Sequence, residues 1–318
     1  MKFSQLKYYL IIGICVLLSA ILANYSPKVD PQTSPGVVQP NPVPKQDKRS
    51  QATVLITGIR SGSASGVIIK SHDKYYVLTN KHVVGTEPGP ENKYQVKSYD
   101  GNVYQEITAN NYNRLVQNGE LDLALIELPT ESQNKYTAAK LSTGVSESMD
   151  VSVSGWPQCL PQPQYTFYDG KISNQLSDRS DIEKLPKNDS YIQDKDRNYN
   201  DGYRVNYTNA TLVGMSGGPV FNKDGNVVAI HGMPGVAKDN TPKNCNSLNT
   251  KGAGNNWGIP ISLFLESDLA QGKNFDPIKA PPPKIAPTPT TSPKNTTSPS
   301  DKEIFQCPDR GKQEGWCK

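Results

Sequence analysis

The stretch Gly214-Met215-Ser216-Gly217-Gly218-Pro219 decides the reading of this chain. It sets one serine among three glycines, in a turn too glycine-rich for ordinary packing. Glycine adopts backbone conformations that other residues resist and lets main-chain N–H groups come close to a ligand. Serine is a weak nucleophile at neutral pH, so such a turn has chemical meaning only if a base is available. Working outward, Thr79-Asn80-Lys81-His82-Val83-Val84 supplies a histidine, and Leu121-Asp122-Leu123-Ala124-Leu125 supplies an aspartate inside an apolar run. A neutral imidazole, with an ordinary pKa of about 6.5, can take the serine proton and later return it. It needs a partner on its other ring nitrogen. Asp122 suits that part: its apolar neighbours imply a buried strand, where an unpaired carboxylate is costly. His72, between Ser71 and Asp73, reads as a turn residue.

The composition narrows the field. Lys+Arg 34 against Asp+Glu 30 gives a net charge of +4 with no single-sign block, so nucleic-acid binding has no support. Three histidines and five scattered cysteines form no ligand cluster, so neither a metal nor a cofactor is expected. Lys2 and Lys7 precede an uncharged apolar run from Tyr8 to Ala23, short for a membrane span and shaped like a signal peptide. Residues 1–24 are therefore a signal peptide or signal anchor, and the protein is expected to be exported, periplasmic or extracellular. Membrane contact would come only through an uncleaved N-terminal anchor. Without Cys15, four cysteines remain, and an even number in an exported chain suggests disulfides. Cys159 with Cys245, and Cys307 with Cys317, is the simplest of the possible pairings.

Proline-rich, weakly apolar segments mark residues 25–50 and 276–302 as linkers. They bracket a folded region at 51–275 and leave a short cysteine-containing tail at 303–318. Inside the folded region, short β-branched or aromatic runs alternate with turn residues. Strands are predicted at residues 52–56, 64–69, 75–79, 94–98, 121–128, 150–154, 165–172, 203–207, 219–221 and 227–231. The spacing reads as an all-β barrel or sandwich. One helix is predicted over Pro260–Leu269. The polar stretch from Gln175 to Asn200 reads as a surface excursion between two strands. Asn206 and Asn209 each begin a glycosylation sequon, but both abut the serine loop and read as chance matches.

Residues 51–270 resemble the trypsin-like serine peptidase family, most closely its exported bacterial members. The resemblance is carried by Ser65-Gly66-Val67, Thr79–Val84, Asp122–Leu125, Gly155-Trp156-Pro157, Gly214–Val220, Ala229-Ile230-His231-Gly232 and Trp257-Gly258-Ile259-Pro260, occurring in that order over about two-thirds of the chain. The order His, Asp, Ser is also that of the chymotrypsin-type triad. The resemblance implies two packed antiparallel six-stranded β-barrels with a short C-terminal helix. It implies His82 as general base and acid, Asp122 as its orienter and Ser216 as nucleophile. The N–H groups of Gly214 and Ser216 would form the oxyanion hole. Ala210, Thr211, His231, Gly232 and Met233 would contact a protein or peptide substrate.

Several departures from the family pattern matter. Met215 stands where trypsin-like zymogens carry the aspartate that pairs with a new N-terminus, so no such activation switch is expected. Ala210, at the expected base of the primary pocket, gives no support for cleavage after Lys or Arg. His231 matches a histidine that glutamyl endopeptidases of the family use for acidic side chains; a structural histidine, or a pocket for small or apolar side chains, are the alternatives. Cys159 and Cys245 fall, by resemblance, on loops bordering that pocket. Two other functions compete: a non-catalytic binding module on the same fold, and an esterase of the α/β-hydrolase type. The latter needs the order Ser, acid, His, which this chain lacks.

Overall fold

A computed structural model describes residues 47–59, 62–85, 92–130, 136–158, 162–235 and 255–279. The apolar leader, most of both linkers, the 303–318 tail and all five cysteines lie outside these residues, and with them both expected disulfides.

Side-chain alternation accounts for the first half. Strands β1 (Thr53–Ile59), β2 (Gly62–Ser71), β3 (Lys74–Thr79), β4 (Tyr94–Lys97), β5 (Val103–Ile107), β6 (Leu115–Gln117) and β7 (Ala124–Glu127) form an antiparallel sheet ordered β5-β4-β1-β2-β3-β7-β6. Successive side chains on a strand point to opposite faces. Ile68, Val77, Ala124 and Ile126 accordingly enter one apolar cluster with Val54, Ile56 and Val96. Val67, Ile69, Leu78 and Leu125 enter another, shared with Phe221, Ile230, Trp257 and Ile259 from the second half. Both faces of the central strands are buried, which is why their sequences read as nearly continuous apolar runs. Full burial of each such side chain is worth about 1.5–3 kcal/mol.

The second half is a closed barrel of β8 (Asp150–Gly155), β9 (Thr166–Gln175), β10 (Val205–Tyr207), β11 (Pro219–Asn222), β12 (Val227–Met233) and β13 (Asn256–Pro260), ordered β10-β13-β12-β11-β8-β9. Val153, Tyr168, Val205, Tyr207, Leu212, Met215, Val220 and Val228 pack together within it. Met215, where an activation aspartate was absent from the sequence, is fully buried in this cluster.

The all-β class and the six-stranded second barrel agree with expectation. The first half differs in detail: it has seven strands, and β5 and β6 stand at separate edges rather than closing a six-stranded barrel. Strands β5, β6 and β13 had no place among the predicted strands. Asp122 lies in the bend just before β7, not in a strand. The helix is shorter than predicted, Ile261–Glu266, because Ser267 is already extended. The excursion at 175–200 is built rather than merely solvated. It contains 3-10 helices at Arg179–Lys184 and Ser190–Asp194 and a helical turn at Lys195–Asn200. Ile182, Leu185 and Tyr191 from it are buried in the shared cluster. Among the described residues no helix is long and apolar enough to cross a membrane.

Candidate active site

Strand register brings the first two groups together. Thr79 at the end of β3 pairs with Ala124 at the start of β7. The chain leaving β3 and the chain entering β7 therefore lie side by side. Asn80 caps the short helix Lys81–Val84 that carries His82, and its side-chain amide donates to the Asp122 carbonyl at 3.0 Å. Asp122 accepts from the His82 backbone N–H at 2.8 Å through Oδ1, and Oδ2 lies 2.6 Å from His82 Nδ1. An ionised carboxylate only accepts, so Nδ1 carries the proton and Nε2 is left with its lone pair. Burial pushes the Asp122 pKa up. The hydrogen bond and charge of His82, the Tyr203 hydroxyl and the His82 amide outweigh it and hold the carboxyl below its ordinary value. Asp122 is buried, whereas the His82 side chain is exposed.

Main chain holds the serine. Gly214 has φ +99° and Gly217 φ +81°, conformations that favour glycine. A Cβ at Gly217 would overlap Thr79 Oγ1 and the Ser65 carbonyl. The amides of Met215, Gly217 and Gly218 donate to Leu212, His231 and Met215 carbonyls at 3.0, 2.8 and 2.9 Å. The amides of Gly214 and Ser216 donate no hydrogen bond among the described residues. Ser65 of β2 ties this loop to the first sheet. Its N–H donates to the Ser216 carbonyl at 2.9 Å, its hydroxyl donates to the Gly214 carbonyl at 2.8 Å and accepts from Trp156 N–H at 2.9 Å. No hydrogen bond joins the Ser216 hydroxyl to His82 among the described residues.

Behind the loop, Ala210 and Thr211 are buried. Thr211 donates its hydroxyl to Asn256 Oδ1 at 2.8 Å, and Asn256 in turn donates to the Asn209 carbonyl at 2.5 Å. His231 is paired with Gly258 of β13, and its Nδ1 lies 2.6 Å from the Tyr207 hydroxyl. Burial drives its pKa down to about 3, with the Trp257 carbonyl pulling it up and His82 pushing it further down. His231 is thus neutral at physiological pH. Gly232 and Met233 continue β12 past it.

Three groups went unrecognised in the sequence. Tyr203 donates to Asp122 Oδ2 at 2.6 Å, Tyr207 contacts His231, and Asn256 organises Thr211. Nothing local marks them, since each acts across more than twenty residues of chain. No group of three His, Cys, Asp or Glu side chains able to hold a metal occurs among the described residues.

An all-β scaffold with a histidine–carboxylate pair at the end of one sheet and a serine loop on the neighbouring barrel is the class of protein seen here. A family model described as the trypsin-like peptidase domain matches residues 64–230, more than half of the chain. The chain belongs to that family. It is similar to the glutamyl endopeptidase of Staphylococcus aureus strain MW2, 27% identical over 184 residues, covering 54% of this chain and 47% of that protein. That of strain MSSA476 is also 27% identical over 184 residues, covering 54% of this chain and 46% of that protein. The chain thus spans about half the length of the curated relatives it matches. Among solved structures, the HtrA-type protease AlgW with tripeptide gives a TM-score of 0.47 at 21% identity, covering 69% of this chain and 59% of that one. Deg5 gives 0.45 at 17% identity, covering 69% and 88%. The fold itself is established by the strand pairing.

Proposed function

We propose that the protein is a serine endopeptidase working through an acyl-enzyme on Ser216. His82 Nε2 removes the Ser216 hydroxyl proton as Oγ attacks the peptide carbonyl, then gives that proton to the departing amine. Water enters, loses a proton to the same nitrogen, and hydrolysis of the ester restores the serine. Asp122 keeps Nδ1 protonated and stabilises the imidazolium. The N–H groups of Gly214 and Ser216 receive the oxyanion, each donor contributing about 3 kcal/mol. The observation that carries this reading is the pair of unengaged amides flanking Met215, beside a histidine already locked to a carboxylate. Hydrogen bonds between nucleophile and base often tighten only when substrate is bound, so the open Ser216–His82 contact accords with it.

The same reading extends to the substrate. Cleavage after acidic side chains is favoured by His231, by the uncharged Ala210 and by the glutamyl endopeptidases among the relatives. The Tyr207 hydroxyl gives its one proton to the Trp257 carbonyl at 3.0 Å. A neutral His231 therefore donates from Nδ1 to that hydroxyl and keeps Nε2 as an acceptor, which must gain a proton to hold a substrate carboxylate. The arriving negative charge would raise its pKa toward the protonated form. Thr211 has its proton committed to Asn256 and lines the pocket without supplying a donor. The main chain of His231-Gly232-Met233 would pair with the substrate as an added strand. Residues 1–24 would direct export, with the peptidase unit at 51–275 set between the two proline-rich linkers.

Labelling with a serine-reactive fluorophosphonate tests the chemistry: the parent should label, and Ser216→Ala and His82→Ala should not. Label retained by Ser216→Ala overturns the assignment. Cleavage-site profiling on a peptide mixture tests specificity, and a spread without enrichment of Glu or Asp removes the acidic preference.

A further inference from the structure

We propose that Tyr203 is the positioning residue for Asp122, and that the segment of residues 176–203 is what delivers it to the site. This rests on the reading of Asp122 as the group that orients His82.

The Tyr203 hydroxyl is buried and donates to Asp122 Oδ2 at 2.6 Å, the same oxygen that meets His82 Nδ1. Gly232 of β12 runs directly against it. A Cβ built at Gly232 would overlap the Tyr203 hydroxyl, so that hydroxyl occupies the volume a side chain from β12 would otherwise take. The carboxylate is thus served from the barrel side by the tyrosine and not by the strand that passes beside it. Burial, and then the Asp122 charge, raise the Tyr203 pKa well above its ordinary value, so the hydroxyl keeps its proton and acts as a donor.

The segment that ends in Tyr203 is anchored at several points. The Asp122 amide donates to the Asp201 carbonyl at 2.9 Å, and Tyr203 N–H donates to the Asn198 carbonyl at 3.1 Å. The Tyr191 hydroxyl donates to the Tyr203 carbonyl at 3.0 Å. The Tyr191 ring lies 4.4 Å from that of Trp257, and Trp257 Nε1–H donates to Asp189 at 3.3 Å. The Ser190 hydroxyl donates to the Pro234 carbonyl at 3.2 Å. Helices this short are unstable alone; these anchors hold the segment between Asp122 and the far wall of the barrel. The charged and titratable groups around the carboxylate are His82, Tyr203 and Asp201. Burial, and then the Asp122 charge, raise the Asp201 pKa, while Arg197 and, more weakly, Lys81 oppose this.

Tyr203→Phe removes one hydrogen-bond donor and little volume. A carboxylate relieved of that donor pairs more strongly with the imidazolium that forms during turnover. The expected result is a fall in kcat of about tenfold with KM within about twofold. The acid limb of kcat/KM should move to higher pH, and the acid limb of the fluorophosphonate labelling rate should move with it in the absence of peptide. A tyrosine with only a structural part would lower Tm and leave both curves in place. Unmoved curves in folded Tyr203→Phe therefore overturn the proposal. If Tyr203→Phe does not fold, Gly232→Ala, which crowds the same hydroxyl, is measured instead, and unmoved curves overturn the proposal there as well. Ser216→Ala is labelled in parallel. Label persisting in it defeats the peptidase reading, whereas label lost there with unmoved Tyr203→Phe curves defeats the positioning proposal alone.

Discussion

The open seven-stranded sheet and the closed six-stranded barrel contribute to the proposed site by different physical means. In the proposed mechanism the sheet contributes the groups that exchange a proton, and it holds them by side-chain hydrogen bonds: His82 to Asp122, and Asn80 to the Asp122 carbonyl. The barrel contributes Ser216 and two unengaged amides, and it holds them by backbone conformation and backbone hydrogen bonds. The difference follows from what each must present. A proton-transfer pair needs a buried carboxylate partner, whereas an anion site needs N–H groups aimed outward, which only the path of the main chain can set. Ser65 is one direct link between them, reaching from β2 into the carbonyls on either side of Met215; the Tyr203–Asp122 hydrogen bond is another.

The largest test breaks both halves at once. Ser216→Ala and His82→Ala should each lower kcat by about 10⁴-fold or more, and the double variant should be no worse than either alone, because the two act as a unit. Additive losses, read from steady-state kinetics, would mean that sheet and barrel act separately.

Acid sensitivity should come largely from the barrel. His231 has its pKa lowered from 6.5 to about 3 in the folded protein. As pH falls below about 6.5 the unfolded chain takes up a proton that the folded chain refuses, so stability declines down to about pH 3. The decline from this one group has an upper bound of about 4–5 kcal/mol. Urea titrations across that window should show a flatter profile for His231→Leu; an equal slope would locate the acid sensitivity elsewhere. Asp122 works in the same direction lower on the scale: its folded pKa is depressed, so its stabilisation is present above the unfolded value and is lost as pH falls through the folded one.

Gly217→Ala tests the backbone-held loop. A left-handed conformation together with overlap on Thr79 and Ser65 should cost about 3 kcal/mol in denaturant unfolding. A change under about 0.5 kcal/mol would show that the loop can relax and is not held by its conformation.

The smallest effect is expected at the Ser65 link. Ser65→Ala removes the hydroxyl shared by Gly214 and Trp156 and should lower kcat about threefold to tenfold with KM nearly unchanged. A wild-type kcat would mean that the glycine conformations alone fix the amides.

Legibility in the sequence tracked the range of the interactions. His82, Asp122 and Ser216 each sit in a local pattern whose composition betrays it: a histidine after a β-branched strand, an acid in an apolar run, a serine among glycines. Ten of the strands were readable because their apolar periodicity is local too. Strand β6 is three residues long, and β5, Val-Tyr-Gln-Glu-Ile, is polar at its centre, so neither carries enough periodicity to register. The 175–200 segment misled because its many Asp, Lys and Asn residues hide Ile182, Leu185 and Tyr191, which are apolar anchors only in contact with Trp257 and its neighbours.

The amino-acid order alone determined the residue types proposed to react, their succession along the chain, the all-β class and the want of an activation aspartate before Ser216. Those are properties of short windows, where side-chain chemistry and period-two burial leave a direct imprint. Tertiary structure alone decided that the first sheet stays open, that Asp122 lies in a bend rather than a strand, and that Tyr203, Tyr207 and Asn256 bond to Asp122, His231 and Thr211. Each of these depends on two stretches of chain meeting across dozens of residues. A hydrogen bond formed at that distance imposes no pattern on the sequence beside it.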